Sequence, residues 1–186
     1  MNTADSTGLI RHLLRSSTAI DHARVDERFG SLLERGRAGY CEFLRLSAAA
    51  IQPLEQTLEG GHVQRILPDW RERTRWNSLR ADLAELGIAS PPCGRGPVFE
   101  SEALQFGALY VLEGSRFGAR VLARRLSETS NSPSFGALRY LRHGEGQPLW
   151  PTFVERLEAS AEVRRSPAEA VAGAKAAFQV FIEVAA

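Results

Sequence analysis

Near the N-terminus, Arg15, Thr18 and His22 follow one another at intervals of three and four residues, so in a helix all three side chains project from a similar side. Ile10, Leu14, Val25 and Phe29 continue the same stripe and set His22 on a core-facing seam. A histidine there is more often a hydrogen-bonded structural residue than a ligand. As a ligand, its neutral imidazole is the usual nitrogen donor to haem iron in proteins that handle oxygen. Arg15 would then be a cation able to pair with a haem propionate, its bland role being a solvated rim residue. The other histidines are less promising. His12 falls roughly 80° round the same helix, His62 follows Gly60 and Gly61 in a loop, and His143 precedes Gly144 at a helix end that favours a cation.

A second unusual feature is a set of glycines inside one amphipathic segment, LQFGALYVLEGSRFGARVLARRL. Gly107, Gly114 and Gly118 should each cost about 1 kcal/mol relative to alanine in a helix interior. Such a cost is tolerable where something approaches the backbone more closely than a Cβ atom permits. Gly114 and Gly118 are four apart and share a face, which suits either a tight helix crossing or a flat ligand. A membrane-dimer motif is excluded by Arg116, Arg120, Arg124 and Arg125 in the same stretch.

These residues need helices to hold them, and the whole pattern is helical. The first helix spans about 7 to 29 and the second about 39 to 58, kinked or divided at Pro53. A third runs from about 69 to 86 and ends at Gly87, where a left-handed residue is expected. The glycine-bearing helix covers about 101 to 128, with shorter ones near 133 to 143 and 149 to 162. The last starts at Ser166, with Pro167 at the first helical position and Glu169 completing a capping box. It carries Val171, Ala174, Phe178, Phe181 and Ala185 on one face. No segment alternates with the period of a half-buried strand. The expected class is all-α, a compact multi-helix bundle forming one domain over 1–186.

Composition narrows the function classes. The chain has 186 residues, enough for one sizeable core without disulfides. Its 23 Lys+Arg against 22 Asp+Glu argue against nucleic acid or an anionic membrane as the main partner. Lys175 is the sole lysine, an arginine bias that suits carboxylate recognition and also follows from a GC-rich genome. Cys41 and Cys93 belong to no metal-binding pattern, so free thiols and no structural zinc are expected. No signal peptide and no run of roughly 20 apolar residues is present, which points to a cytoplasmic protein.

Two segments together resemble the haem oxygenase family, particularly bacterial members associated with bacteriophytochromes. LLRSSTAIDHARVDERFG is similar to that family's proximal helix, with His22 at the position of the iron ligand, and GALYVLEGSRFGARVLARRL to its glycine-bearing distal helix. Weaker similarity continues through RWNSLRADLAELG, LRYLRHGEGQPLWPTFVERLE and AKAAFQVFIEVA, in the same order and over nearly the whole chain. The resemblance implies that haem, both cofactor and substrate, lies between the two helices, with Gly114 and Gly118 letting the distal backbone press close to it. It implies oxidative cleavage to biliverdin with release of carbon monoxide and ferrous iron. Oxygen is consumed, and electrons come from a separate ferredoxin or reductase, since no Rossmann fingerprint is present. A bacteriophytochrome is the implied acceptor of the biliverdin.

The resemblance also implies site roles for Ser115, Tyr110, Phe178 and Phe181. Tyr110 would reach a propionate, and the two phenylalanines would wall the pocket; their bland alternatives are core or rim positions. Ser115 stands where many relatives carry an aspartate that organises a water chain. A hydroxyl can hold water but provides no fixed negative charge. Phe117 and Ala119 replace smaller residues or glycine found in many members and bear on the pocket's width. Ser115 also leaves room for a haem carrier or sensor without turnover. A same-fold enzyme acting on thiamin or cofactor precursors would not need His22, and a helical interaction module would use the glycines as a crossing.

Overall fold

The C-terminal helix is the most apolar long segment of the chain, and it organises the computed structural model, which describes residues 8–61, 63–128 and 136–186. Eleven helices and no strand occur among the described residues. The chain opens with α1 (Leu9–Ser17) and α2 (Ala19–Leu33), followed by the long α3 (Gly36–Gly60). Two single-turn helices, α4 (Val63–Ile66) and α5 (Trp70–Arg73), lead into α6 (Trp76–Glu85). After an extended loop come α7 (Glu102–Glu128), α8 (Arg139–Arg142), α9 (Leu149–Ala159), α10 (Ala161–Arg165) and α11 (Pro167–Val184).

The N-terminal stripe forms two helices rather than one. Thr18 leaves helical geometry (φ −114°, ψ 9°) and its buried hydroxyl donates to the Leu14 carbonyl at 2.8 Å. That bond gives the backbone a local alternative to a continuous helix, a tendency of threonine. Pro53, by contrast, does not divide α3, where it sits buried in the core. The expected third helix breaks at Thr74, whose backbone is extended (ψ 136°). The Glu55 carboxylate then accepts the N–H groups of Arg75 and Trp76 at 2.7 and 3.1 Å, capping the restart of the helix from a distant element.

Gly87 has the left-handed φ of 69° expected after a helix, and the Ile88 N–H closes the turn onto the Leu83 carbonyl. The capping box before α11 does not form. Ser166 makes no side-chain cap, and Glu169 instead accepts a bond from the Ser101 hydroxyl at the start of α7. Ser160, which nothing in the sequence reading singled out, caps α10 through Val163 N–H at 3.2 Å. The expected helix from 133 appears as α8; 133–135 and His62 lie outside the described residues.

α11 packs against both α7 and α2, whereas α2 and α7 are not packed on one another. Leu14, Leu44, Ile51, Leu54 and Phe153 are among the fully buried side chains of the shared core. Each is worth roughly 1.5–3 kcal/mol of burial. Helix α11 is thus the shared neighbour of α2 and α7, which are the two walls of a candidate cleft. No helix among the described residues is long and apolar enough to cross a membrane.

Candidate functional site

Gly107, Gly114 and Gly118 lie within about 20° of one line along α7 at 100° per residue, yet their surroundings differ completely. A Cβ on Gly107 would lie 1.9 Å from the Ala170 carbonyl oxygen, and one on Gly173 2.0 Å from the Leu104 carbonyl oxygen. This is a backbone-to-backbone crossing of α7 and α11, the tight-crossing role realised at Gly107. Seven residues on, a Cβ at Gly114 would make ordinary contact with the Trp150 ring at 3.7 Å, and at Gly118 it would meet nothing within 4 Å. The two helices start side by side, since Ser101 bonds Glu169, and beyond the crossing the Cβ direction of Gly118 is open.

His22 stands on the other wall. Its side chain is 62% exposed, its Nδ1 lies 2.9 Å from Asp26 Oδ2, and its ring meets the edge of Phe178 at 5.9 Å between centroids. A carboxylate only accepts, so Nδ1 carries the hydrogen of this bond, and Asp26 fixes the heading of the ring. The seam expected to face the core is buried at Ile10, Leu14, Thr18 and Phe29 but not at His22, which is largely exposed and meets the core only at the Phe178 edge.

Phe178 and Phe181 are both buried. Only Phe178 touches His22; Phe181 packs edge-on against Phe29 at 6.0 Å. Tyr110 is half-buried and its hydroxyl feels the charges of Arg15 and Arg11; burial outweighs both cations and pushes its pKa up. Arg15 and Arg11 therefore lie near enough to Tyr110 for their charge to act on its hydroxyl. Thr18 has its hydroxyl hydrogen committed to Leu14. Ala119 is packed in the core, while Phe117 is half-exposed against Trp150, so of these two only Phe117 bears on the cleft.

Two features were not read from the sequence. Trp150 lies against Tyr110 (5.8 Å), Phe117 (5.4 Å) and the bare face at Gly114, so it borders the opening. Its only sequence signal was a bulky aromatic in a short helix. Behind α7 lies a buried cluster of arginines. Arg73 pairs with Glu113 (3.0 Å) and Asp69 (2.8 Å), and Arg116 grips both oxygens of Glu113 at 3.0 Å. Arg75 donates to Ser115 Oγ at 2.9 Å and to the Leu112 carbonyl at 3.0 Å. The clearest surface hollows lie elsewhere, one beside Leu32 and Arg45, the other beside Gln52 and Trp76.

His143 is not the helix-end cation that its position suggests. Its Nδ1 lies 3.0 Å from Arg116 Nη1, so it accepts that bond as a neutral ring. Burial, then the charge of Arg116, pushes its pKa down to about 4. In the unfolded chain the ordinary value near 6.5 applies. The stabilisation is therefore complete above pH 6.5 and lost as pH falls towards 4, with a magnitude of order 2 kcal/mol. His143→Gln keeps an acceptor without a proton to gain. Urea midpoints at pH 7 and 5 should fall less in this variant than in the parent. Equal falls would rule the assignment out, and the raised pKa of Glu55, common to both proteins, cancels in the difference.

The chain is an all-helical protein with an exposed imidazole held by Asp26 on α2 and open glycine positions on α7. No family model matches the chain. It is 34% identical over 147 residues to a heme oxygenase of Xanthomonas campestris pv. campestris, covering 76% of this chain and 86% of that protein. It is 31% identical over 150 residues to heme oxygenase PigA of Pseudomonas aeruginosa, covering 78% and 75%. A solved heme oxygenase from Neisseria meningitidis, studied with NO and CO bound, superposes with a TM-score of 0.78 at 23% identity over 95% of this chain and 89% of that one. The chain belongs to the haem oxygenase family.

Proposed function

We propose that this chain cleaves haem oxidatively to biliverdin, carbon monoxide and ferrous iron, with His22 as the residue that would hold the iron and Gly114 and Gly118 as the backbone that would let the ring lie close to α7. The observation that carries this reading is an imidazole held through Nδ1 by Asp26 and otherwise largely exposed, in a chain whose second helix wall has open Cβ directions at Gly114 and Gly118. The donor set suits haem: a neutral nitrogen for iron, cations for carboxylates, and aromatic edges for the macrocycle. Haem supplies the redox iron and the ring that is opened.

The chain's own groups bind, orient and exclude. Asp26 holds the imidazole's tautomer and heading. Arg15, with Tyr110 beside it, receives a propionate and so sets which edge of the ring points inward. Phe178 and Trp150 keep bulk water from the cleft. Ser115 donates its only hydroxyl hydrogen to Leu112 at 2.8 Å, so towards the cleft it offers an acceptor, and protons arrive through water. Electrons come from a separate ferredoxin or reductase. The reaction is cytoplasmic, in keeping with the unpaired Cys41 and Cys93, and a bacteriophytochrome takes the biliverdin.

The test is titration with hemin followed by oxygen and a reductant. A Soret band decaying into a biliverdin spectrum supports the reading; absence of hemin binding refutes it, and stable reversible oxygen binding marks a carrier. The propionate assignment has its own measurement. Arg15→Glu should weaken hemin affinity about tenfold, the scale of a charge-assisted hydrogen bond or two. Hemin dimethyl ester should bind parent and variant alike. A variant that weakens both ligands equally would remove Arg15 from the propionate site.

A further inference from the structure

The hollow beside Gln52 and Trp76 is lined by none of the residues assigned to the cleft, and its two sides carry opposite charges. Its volume is about 330 Å³, within the range of small-molecule pockets. One side is a face of α3, where Gln52, Glu55 and Glu59 follow at intervals of three and four. The other is the break between α5 and α6, which contributes Trp70, Arg71 and Asn77. Glu55 caps the restart of the helix after that break, so the carboxylate that holds the two sides together also lines the space between them.

The polar groups there are unspent. Among the described residues, the side chains of Gln52, Glu59, Arg71 and Asn77 make no hydrogen bond or ion pair. Glu59 and Arg71 therefore line one hollow without meeting each other. Trp70 is 1% exposed, yet its Nε1 donor has no partner. A buried donor left unmatched bears its full desolvation cost, so an acceptor that reaches it gains more than at an exposed group. Arg71 adds a guanidinium on the same side, which does not lose its proton in a protein. On the α3 side Glu59 supplies a carboxylate, and each Glu55 oxygen, engaged by one N–H, keeps a lone pair. We propose that this hollow binds a small zwitterion of the α-amino-acid class, its carboxylate taken by Arg71 and Trp70 Nε1, its ammonium by Glu59 and Glu55, and a polar side chain by the amides of Gln52 and Asn77. A ligand with one charge leaves one side unpaired, and an apolar ligand leaves both. The site stands independently of the haem reading.

The experiment titrates the full, isotope-labelled chain with L-glutamine and follows the indole N–H resonances by NMR. The Trp70 signal should move saturably, with a Kd of about 1 mM. N-acetyl-L-glutamine, which lacks the ammonium, and L-glutamine α-amide, which lacks the carboxylate, should each bind about tenfold more weakly or worse. Glu59→Gln and Arg71→Gln replace exposed side chains that hold nothing else in place, so both variants should fold. Each should weaken L-glutamine about tenfold. Glu59→Gln should also erase the preference over the N-acetyl compound, and Arg71→Gln the preference over the α-amide. A Trp70 signal that stays fixed or drifts without saturating up to about 20 mM overturns the proposal. Equal binding of the three compounds, or variants that bind L-glutamine like the parent, overturns it as well.

Discussion

His22→Ala is expected to abolish the histidine-ligated Soret spectrum and all conversion of hemin to biliverdin. Loss of groups that merely orient a metal ligand costs 10–100-fold, so loss of the ligand itself should cost about 100-fold or more in hemin affinity. The fold should be indifferent, because the side chain is largely exposed and contributes one edge contact to Phe178 and one bond to Asp26. A variant with unchanged circular dichroism and an unchanged Soret band would remove His22 from the iron. Asp26→Asn should give a weaker version of the same change, since an amide can accept from Nδ1 without the carboxylate's charge.

The largest expected loss of stability comes from one methyl group. Gly107→Ala would place Cβ 1.9 Å from a backbone oxygen of α11, a partner with no flexible end to move aside. Helices α7 and α11 would have to separate, with a cost of roughly 3 kcal/mol or more, at the upper end of overpacking penalties. Gly118→Leu is the matching control. Nothing lies within 4 Å of its Cβ direction, so the fold should hold while hemin binding is lost. Thermal unfolding and hemin titration of the two variants separate the roles. If Gly107→Ala unfolds like the parent, or Gly118→Leu binds hemin normally, the division of α7 into a crossing and a ligand face fails.

The sequence carried the helical class, the stripe bearing His22 and the anomalous glycines, because each is a periodic or local signal. It could not say which glycine served which purpose. Gly107 and Gly118 sit on one face of one helix, and only the partner's position distinguishes them. Helix boundaries were lost where distant groups intervene, as when Glu55 caps the restart at Arg75 or Glu169 turns to Ser101 and leaves its capping box unmade. The arginine cluster was hidden for the same reason. Nothing in the sequence reading singled out Arg73 or Arg75, because their burial depends on Glu113, Ser115 and Thr152 arriving from elsewhere. His143 failed as an expected cation because its helix end also faces Arg116.

At Gly107 and Gly173 the crossing of α7 and α11 is backbone against backbone, so it admits no gradual adjustment. Ordinary interiors can trade a leucine for a valine and shift by tenths of an ångström. Here the smallest available change is already a collision on both strands of the rivet, at Gly107 and at Gly173. Variation in shape must therefore enter from the free end of the shears, at Phe117 and Trp150, leaving the pivot invariant while the blades are reground for a different grip.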